Sequence, residues 1–290
     1  MKIIVIVGPT GVGKTKLSVS LAKYLDAVII NGDSMQVYKG MDIGTAKIKE
    51  NEKEEVEHYL FDICTPLDDY NIYRYQQDGR SLLDKFKKEN RNVVIVGGSG
   101  LYIKSLLYDY KFQDEEINDT YLELTNEEIL EEIKKHHETN IHVNNRKRLV
   151  RELNKIKNDN NIKSDIFKKL YEFKVIGLTT SREKLYDVVN KRVDLMVHEG
   201  LVREVKSLYD KGIRSKAILT GIGYKELYEY FDGHISKEEA IELIKKNTRH
   251  FIKRQYTFFN HQMNVNWLDV DFLNFDNTIK EAIKIVEEEK

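Results

Sequence analysis

The sequence predicts an α/β fold in which helices flank a parallel sheet. Five short runs rich in Ile and Val support this prediction, and the stretches between them are long enough for helices. Strands of a parallel sheet are buried on both faces, so they consist of continuous rather than alternating apolar residues. The five predicted strands are residues 3–7, 28–30, 59–63, 93–96 and 174–178.

A phosphate-binding motif, G-x-x-x-x-G-K-[ST], directly follows the first predicted strand and precedes the helical stretch 16–25. Glycines let backbone N–H groups point at phosphate oxygens, Lys14 adds a cation, and the Thr15 hydroxyl suits Mg²⁺. We therefore expect a P-loop NTPase-like core, which nucleotide kinases, NTPases and diphosphate-using transferases could all employ. The motif residues are Gly8, Pro9, Thr10, Gly11, Val12, Gly13, Lys14 and Thr15.

Polar side chains follow two later strands. Asp33 lies just beyond the second predicted strand, and Ser99 lies in the glycine-rich loop 97–100 after the fourth. The carboxyl ends of parallel strands face the crevice in which α/β sheets bind ligands. Asp33 could position Mg²⁺ or a substrate hydroxyl there, or it could cap a helix. The glycine-rich loop could admit a ligand or could simply be a tight turn.

A helical insertion is predicted at residues 112–170. Helical periodicity replaces the strand-like runs after Leu107, and the run at 174–178 returns the chain to the sheet. The predicted domains are a core formed by residues 1–111 and 171–290, which includes C-terminal helices, and an all-helical insertion between them.

Charge is balanced overall but segregated along the chain. The totals are 47 Lys and Arg against 48 Asp and Glu, a net charge of −1. Residues 114–138 contain ten acidic residues against two lysines, whereas residues 142–157 carry a net charge of +5 and residues 245–254 contain five basic residues and no acid. Because nucleic-acid binding depends on local patches, the neutral total does not exclude a polyanionic partner.

Composition indicates a globular protein of a reducing compartment. Of 290 residues, 41% are hydrophobic and 33% charged, which excludes collagen-like and wholly disordered chains. The single cysteine, Cys64, excludes an internal disulfide, and no apolar run approaches the roughly 20 residues of a membrane span. We expect a cytoplasmic protein without membrane contact. The histidines lack zinc-binding spacing, so Mg²⁺ bound through phosphates is the metal that we expect.

Longer segments carry a more specific pattern than the P-loop. They are DSMQVYKGMDIGTAK (33–47), VGGSGLYIKSLLYD (96–109), RVDLMVHEGLVREV (192–205), GIGYKEL (221–227) and TRHFIKRQYTFF (248–259). Together with GPTGVGKT (8–15), these segments resemble, in order, the tRNA dimethylallyltransferases of the bacterial type. The resemblance extends over residues 3–270.

This resemblance implies transfer of a dimethylallyl group from its diphosphate to the exocyclic amine of the adenosine 3′ of the anticodon, releasing pyrophosphate. Asp33 resembles the family's general base and Thr10 its diphosphate contact. Ser99 stands where members usually have threonine, and we expect its hydroxyl to keep that role. Mg²⁺, held through the diphosphate near Thr15, is the implied cofactor. We expect a monomer whose partners are dimethylallyl diphosphate and the tRNA anticodon stem-loop.

The resemblance implies tRNA contacts in two parts of the chain. The first is the crevice, where a base-contacting segment follows Asp33, and the second is the basic run 147–151, which could equally be a solvated helix face. We expect a third contact, with the anticodon stem or loop, at the C-terminal stretch, because its basic residues lie beside aromatic ones. The predicted tRNA-binding residues are Asp33, Ser34, Met35, Gln36, Ser99, Lys147, Arg148, Leu149, Val150, Arg151, Arg249, Lys253 and Arg254.

Two positions depart from the family pattern. Thr220 stands where many members have glutamine or arginine, and it cannot supply the charge with which that arginine helps to hold pyrophosphate. Asn145 stands where aspartate is usual.

Three alternatives remain: an adenylate isopentenyltransferase, a P-loop small-molecule kinase, and a non-catalytic RNA-binding protein that retains a nucleotide site as a switch. The first two leave the basic segments without a role.

Overall fold

A six-stranded parallel sheet forms the centre of the protein. The computed structural model describes residues 1–112, 121–157 and 167–288. The strands lie in the order β3-β2-β4-β1-β5-β6, and each neighbouring pair is parallel. They are β1 (Ile3–Val7), β2 (Ala27–Asn31), β3 (His58–Tyr59), β4 (Asn92–Val96), β5 (Lys174–Thr179) and β6 (Asn266–Asp269).

Eleven α-helices and one 3₁₀ helix (Glu50–Glu52) occur in the described residues. None of these helices combines the length and the apolar character needed to cross a membrane. The α-helices are α1 (Lys14–Leu25), α2 (Ile72–Lys88), α3 (Gly100–Leu107), α4 (Asn126–Lys134), α5 (Arg146–Lys157), α6 (Arg182–Glu199), α7 (Leu201–Asp210), α8 (Lys216–Thr220), α9 (Tyr224–Phe231), α10 (Lys237–Gln262) and α11 (Phe275–Glu287).

Side chains of β1 alternate between two apolar cores, one on each face of the sheet. Ile3, Val5 and Val7 belong to the first core. Ile4 and Ile6 belong to the second, and all five side chains are at most 3% exposed. Both faces are therefore covered, as the continuous apolar runs predict. Because all strands run in one direction, their carboxyl ends meet at one edge of the sheet.

The predicted fold class is confirmed, and four predicted strands occur with bounds that differ by at most one residue. The strand predicted at 59–63 exists as β3, but its predicted extent was wrong, because β3 contains only His58 and Tyr59. The φ angles of Leu60 and Asp62 are +62° and +52°, so the chain turns away after two residues, and Ile63 is 42% exposed. Strand β6 was not predicted, because it lies at the sheet edge and its sequence, Asn-Trp-Leu-Asp, lacks a continuous apolar run.

The chain divides into two compact units. One contains Met1–Tyr108 and Phe167–Lys290, and the other contains Asp109–Ile166, whereas the sequence-based boundaries were 112 and 170. Described residues 121–157 of the smaller unit contain helices α4 and α5 and no strand. Five buried side chains, Ile129, Ile133, Leu149, Val150 and Leu153, form the apolar core between these two helices. The polar tract 158–165 lies outside the described residues.

Candidate active site

The P-loop connects β1 to helix α1 at the carboxyl edge of the sheet. Gly13 precedes the helix with φ +90°, a conformation that costs L-residues energy, and Phe275 lies where a Cβ on Gly13 would project. Lys14 and Thr15 begin the helix, and Thr15 is exposed. The strand, loop and helix that a phosphate-binding motif requires are therefore all present.

Lys14 is partly buried and lies against the backbone of its own P-loop. Its Nζ donates a hydrogen bond to the Pro9 carbonyl at 2.7 Å. Loss of solvent around the ammonium lowers the pKa of Lys14 to about 8, and the charge of Arg192 acts in the same direction, whereas the charge of Asp33 opposes them. An anion in the P-loop would supply the missing counter-charge and stabilise the protonated lysine.

Asp33 is held in a tight turn just beyond β2. Its backbone N–H donates to Asn31 Oδ1 at 2.9 Å, and its carbonyl accepts from Asn31 Nδ2 at 3.0 Å. Asp33 Oδ1 accepts a bond from the Met35 N–H at 2.9 Å. No helix begins in the turn that follows, so the helix-cap interpretation of Asp33 was wrong. Its side chain caps this turn instead.

The electrostatics of Asp33 result from two opposed effects. Burial raises the pKa of Asp33, whereas the bond from the Met35 amide and the positive charge of Lys14 lower it. Burial is the larger effect, so the net shift in the pKa is upward. A carboxylate that retains proton affinity in a crevice is suited to accept a proton during a reaction.

Ser99 connects the glycine-rich loop to the Asp33 turn. Its Oγ accepts a hydrogen bond from the Ser34 N–H at 3.0 Å and lies 3.1 Å from Ser34 Oγ. It precedes helix α3 but does not cap that helix through its side chain. The close approach depends on Gly97, because a Cβ there would lie 2.1 Å from the backbone carbon of Gly32. The structure thus brings Ser99 and Asp33 to one place, as predicted.

Arg192, on helix α6, was not predicted as a site residue. Its charge acts on Lys14, and its Cδ lies 4.0 Å from the position of a Cβ on Gly11. Its Nε is buried and has no hydrogen-bond partner among the described residues. Burial lowers the pKa of the guanidinium. A buried donor beside the P-loop requires an acceptor, and a phosphate oxygen would provide one.

Arg192 is also the first residue of the segment RVDLMVHEGLVREV, which carried part of the family resemblance. That segment was therefore the available signal. The sequence of that segment does not indicate a role for Arg192, because the arginine reaches the P-loop only when the folded chain packs helix α6 against it.

The segment 34–36, which is predicted to contact the base, is held by residues from other parts of the chain. Gln36 Nε2 donates to the Thr45 carbonyl at 3.0 Å. Met35 packs on Gly221, where a Cβ would lie 2.7 Å from Met35 Cε. Thr220 is exposed, and its hydroxyl bonds the Lys216 carbonyl of its own helix.

The predicted tRNA-binding residues outside the crevice differ in exposure. Lys147, Arg148 and Arg151 are exposed on helix α5. Leu149 and Val150 are at most 1% exposed, so their side chains are core residues of the smaller unit and their assignment to tRNA contact was wrong. These two positions fall on the opposite side of the helix from the charged ones, as helical periodicity requires.

The C-terminal basic residues lie on helix α10. Lys253 and Arg254 are exposed, whereas Arg249 is partly buried and donates to Asn190 Oδ1 at 2.7 Å. Arg254 lies over the ring of Phe251 at 5.7 Å.

A P-loop, two partly buried cations and a partly buried carboxylate at one sheet edge define a P-loop enzyme that acts on a phosphorylated substrate. Comparison with known proteins identifies the family. Residues 36–262 match the model of the IPP transferase family. The chain belongs to this family.

Curated relatives match almost the whole chain. A tRNA dimethylallyltransferase of Anoxybacillus flavithermus is 44% identical over 99% of this chain and 96% of its own length. One of Geobacillus thermodenitrificans is 45% identical over 93% of this chain and 90% of its own length.

Solved structures have the same fold. The full-length tRNA isopentenylpyrophosphate transferase of Bacillus halodurans is 40% identical, with a TM-score of 0.77, and covers 98% of this chain and 95% of its own. A eukaryotic dimethylallyltransferase acting on tRNA is 24% identical, with a TM-score of 0.80 over 99% of this chain and 79% of its own; this likeness concerns the fold.

Proposed function

We propose that this protein transfers a dimethylallyl group from dimethylallyl diphosphate to the exocyclic amine of the adenosine 3′ of the anticodon in tRNA. Family membership and the names of the relatives support this proposal. The structural observation that carries it is the position of the P-loop and the Asp33 turn. They follow β1 and β2, which pair in parallel with the two sides of β4, so both lie at the carboxyl edge of the sheet. The charges of Lys14 and Asp33 act on each other's pKa, in agreement with this placement. A diphosphate cradle and a proton acceptor at one sheet edge can serve one reaction.

The P-loop side of the crevice would bind the donor's diphosphate. Lys14, Arg192 and the backbone N–H groups of the P-loop supply positive charge and donors, and Thr10 lies in the same loop. As the bond from the allylic carbon to oxygen breaks, its electron pair leaves with the diphosphate. Lys14 and Arg192 stabilise that developing charge in the transition state.

The Asp33 side of the crevice would activate the acceptor. The exocyclic amine attacks the allylic carbon and forms the new C–N bond, and Asp33 takes the proton that the amine loses. The amine is a poor nucleophile because its lone pair is delocalised into the purine, so a positioned base contributes about 10²–10⁴-fold. The acceptor base must leave its stack to reach the crevice, which costs less in a single-stranded loop than in a duplex.

The residues present fit Mg²⁺ carried by the diphosphate. The described residues contain no cluster of three His, Cys, Asp or Glu side chains that could hold a metal, whereas Thr15 offers an exposed hydroxyl at the helix start. Mg²⁺ characteristically combines few protein ligands with phosphate oxygens and water. Once bound, it would neutralise charge on the departing pyrophosphate.

The tRNA would also contact exposed basic side chains outside the crevice, namely those of helices α5 and α10. Phosphates are the expected targets of Lys147, Arg148 and Arg151, because such contacts position a nucleic acid without reading its sequence. Lys253 and Arg254 are assigned to the anticodon stem or loop. We place the reaction in the cytoplasm, since tRNA is the proposed acceptor, and we assign a monomer.

Mass spectrometry of an anticodon stem-loop incubated with the protein, Mg²⁺ and dimethylallyl diphosphate tests the activity. The adenosine 3′ of the anticodon should gain one C₅H₈ unit, and pyrophosphate should appear in equal amount. Asp33→Asn should lower the transfer rate about 10²–10⁴-fold and leave stem-loop binding intact. ATP turnover without prenyl transfer would instead indicate a kinase, and prenylation of AMP but not of the stem-loop would indicate an adenylate isopentenyltransferase.

A further inference from the structure

Glu204, on helix α7, binds three consecutive backbone amides of a turn that is remote in sequence. Its carboxylate accepts hydrogen bonds from the N–H groups of Asp42 (3.0 Å), Ile43 (2.7 Å) and Gly44 (3.1 Å). It also accepts a bond from the Tyr224 hydroxyl at 2.7 Å. Successive N–H groups that converge on a carboxylate form a charge-assisted contact, which is stronger than bonds between neutral groups.

The turn that Glu204 holds also carries the anchor of Gln36. Thr45 follows Gly44 directly, and its carbonyl accepts the bond from Gln36 Nε2 at 3.0 Å. The same amide lies 3.4 Å from the Ala46 carbonyl. A displacement of the turn would therefore move the acceptors that fix the Gln36 side chain.

Lys47 secures the far end of this turn. Its side chain is only 5% exposed, and its Nζ donates to the Tyr38 carbonyl at 2.7 Å and pairs with Asp42 at 2.6 Å. The turn is thus fixed to α7 through Glu204 and to the segment beyond Gln36 through Lys47.

Helix α9 and the residues just before it pack against the turn 42–45 and against Met35. Tyr224 is fully buried, and its ring lies 2.6–2.7 Å from the place where a Cβ on Gly44 would project. Gly221, three residues earlier, lies against Met35. The segment GIGYKEL therefore backs both the turn and the base-contacting segment, which gives this sequence motif a physical role.

We propose that Glu204 is a positioning residue for the acceptor adenosine, acting through the turn 42–45 on Gln36. This inference rests on the proposed function for the role of Gln36. Glu204 does not touch the donor's diphosphate site through any of these contacts. Its loss should therefore weaken use of the RNA acceptor and leave use of the donor unchanged.

Steady-state kinetics of Glu204→Gln with both substrates test the proposal. The variant replaces one carboxylate oxygen by an NH₂ group, which would face N–H or O–H donors. We expect KM for the stem-loop to rise about tenfold, since charge-assisted bonds to the turn are lost, while KM for dimethylallyl diphosphate stays within about twofold. Tyr224→Phe removes one of the four bonds and should produce a smaller rise in the same KM.

The matched control is Glu229→Gln. It removes the same charge from an exposed carboxylate on helix α9 that pairs with His234, beyond the end of that helix. It should change neither KM. Equal changes of both KM values in Glu204→Gln, or no change in the KM for the stem-loop, would overturn the proposal, because a purely structural role would not separate the two substrates. If Glu204→Gln does not fold, Tyr224→Phe decides.

Hydrogen exchange provides a readout that does not depend on activity. The amides of residues 42–44 should exchange faster in Glu204→Gln than in the parent protein, whereas those of helix α1 should be unchanged. Unaltered protection at 42–44 would refute the role of Glu204 even in a protein that transfers no prenyl group. Absence of transfer by the parent protein would instead refute the proposed function.

Discussion

Asn31 holds both sides of the Asp33 backbone. Its Oδ1 accepts from the Asp33 N–H, and its Nδ2 donates to the Asp33 carbonyl and, at 2.9 Å, to the Leu60 carbonyl. Asn31 is fully buried at the end of β2. One amide side chain thus fixes the turn that carries the proposed base and joins it to the chain beyond β3.

Asn31→Ala should lower both the free energy of unfolding and kcat, and the fall in kcat should persist under conditions in which the variant is fully folded. The substitution leaves buried backbone groups without partners, which should cost about 1–3 kcal/mol in the free energy of unfolding. Without the two hydrogen bonds with Asn31, the Asp33 carboxylate should no longer be held in position to accept the proton, and we expect kcat to fall about 10²-fold. Denaturant unfolding and single-turnover transfer measure the two effects.

Asn92→Ala is the matched control for this experiment. Asn92 also bonds two backbone groups, the Lys2 N–H and the Leu25 carbonyl, but it begins β4 at the opposite end of that strand from Gly97. A similar loss of stability with unchanged kcat is expected. Equal losses of kcat in both variants would contradict a specific role of Asn31.

The transfer rate should rise with pH through the pKa of Asp33. A general base acts only when it is deprotonated, and burial raises this pKa above the ordinary value of 3.8. The acidic limb of the single-turnover rate should therefore lie above the pH at which an exposed aspartate titrates, with a plateau beyond it. Residual activity of Asp33→Asn should lack this limb, whereas Asp210→Asn, at an exposed carboxylate paired with Lys206, should retain it. An unchanged limb in Asp33→Asn would assign the titration to another group.

Pyrophosphate binding should weaken as pH rises through about 8. The pKa of Lys14 is lowered to about 8, so this lysine is charged below that pH and becomes neutral above it. Because the bound anion favours the charged form, affinity is greatest below pH 8 and falls above it. Calorimetric titration at a series of pH values measures this dependence.

Lys14→Arg separates the titration of the lysine from that of the ligand. Arginine stays charged across this range, so the ratio of the two affinities cancels the ionisation of pyrophosphate itself. The ratio of parent to variant affinity should be constant below pH 8 and should decline above it. A constant ratio on both sides of pH 8 would exclude Lys14 as the titrating group.

Removal of the exposed charges of helix α5 should weaken stem-loop binding and flatten its dependence on salt. For Lys147→Ala with Arg148→Ala, two lost phosphate contacts should reduce the slope of log K against log salt by about 1.4–1.8. Lys134→Ala with Lys135→Ala removes the same charge from the C-terminal end and C-cap of helix α4 in the same unit, and should leave the slope unchanged. An unaltered slope in the first variant would mean that these side chains are only a solvated helix face.

Much of the fold was readable from local patterns. The burial of β1 on both faces and the course of the P-loop into α1 follow from consecutive residues, because the first depends on a continuous apolar run and the second on a local motif. Strand β6 was not readable, since an edge strand with polar ends is stabilised by its pairing with β5 rather than by its own composition. The strand predicted at 59–63 is shorter than expected although its composition is apolar. Leu60 and Asp62 adopt positive φ angles, which end β3 after Tyr59.

The candidate site divides in the same way. The sequence by itself determined the P-loop, the placement of Asp33 and Ser99 after strands, and the basic character of helix α5, because each depends on neighbouring residues. Only the tertiary structure decided that Arg192 lies beside the P-loop, that Asn31 bonds both sides of the Asp33 backbone, and that Glu204 binds the amides of residues 42–44. It also decided that Leu149 and Val150 face a core. The physical reason is that a buried polar group is satisfied by whichever partner the packing of distant elements places within hydrogen-bond distance, and no local pattern specifies that partner.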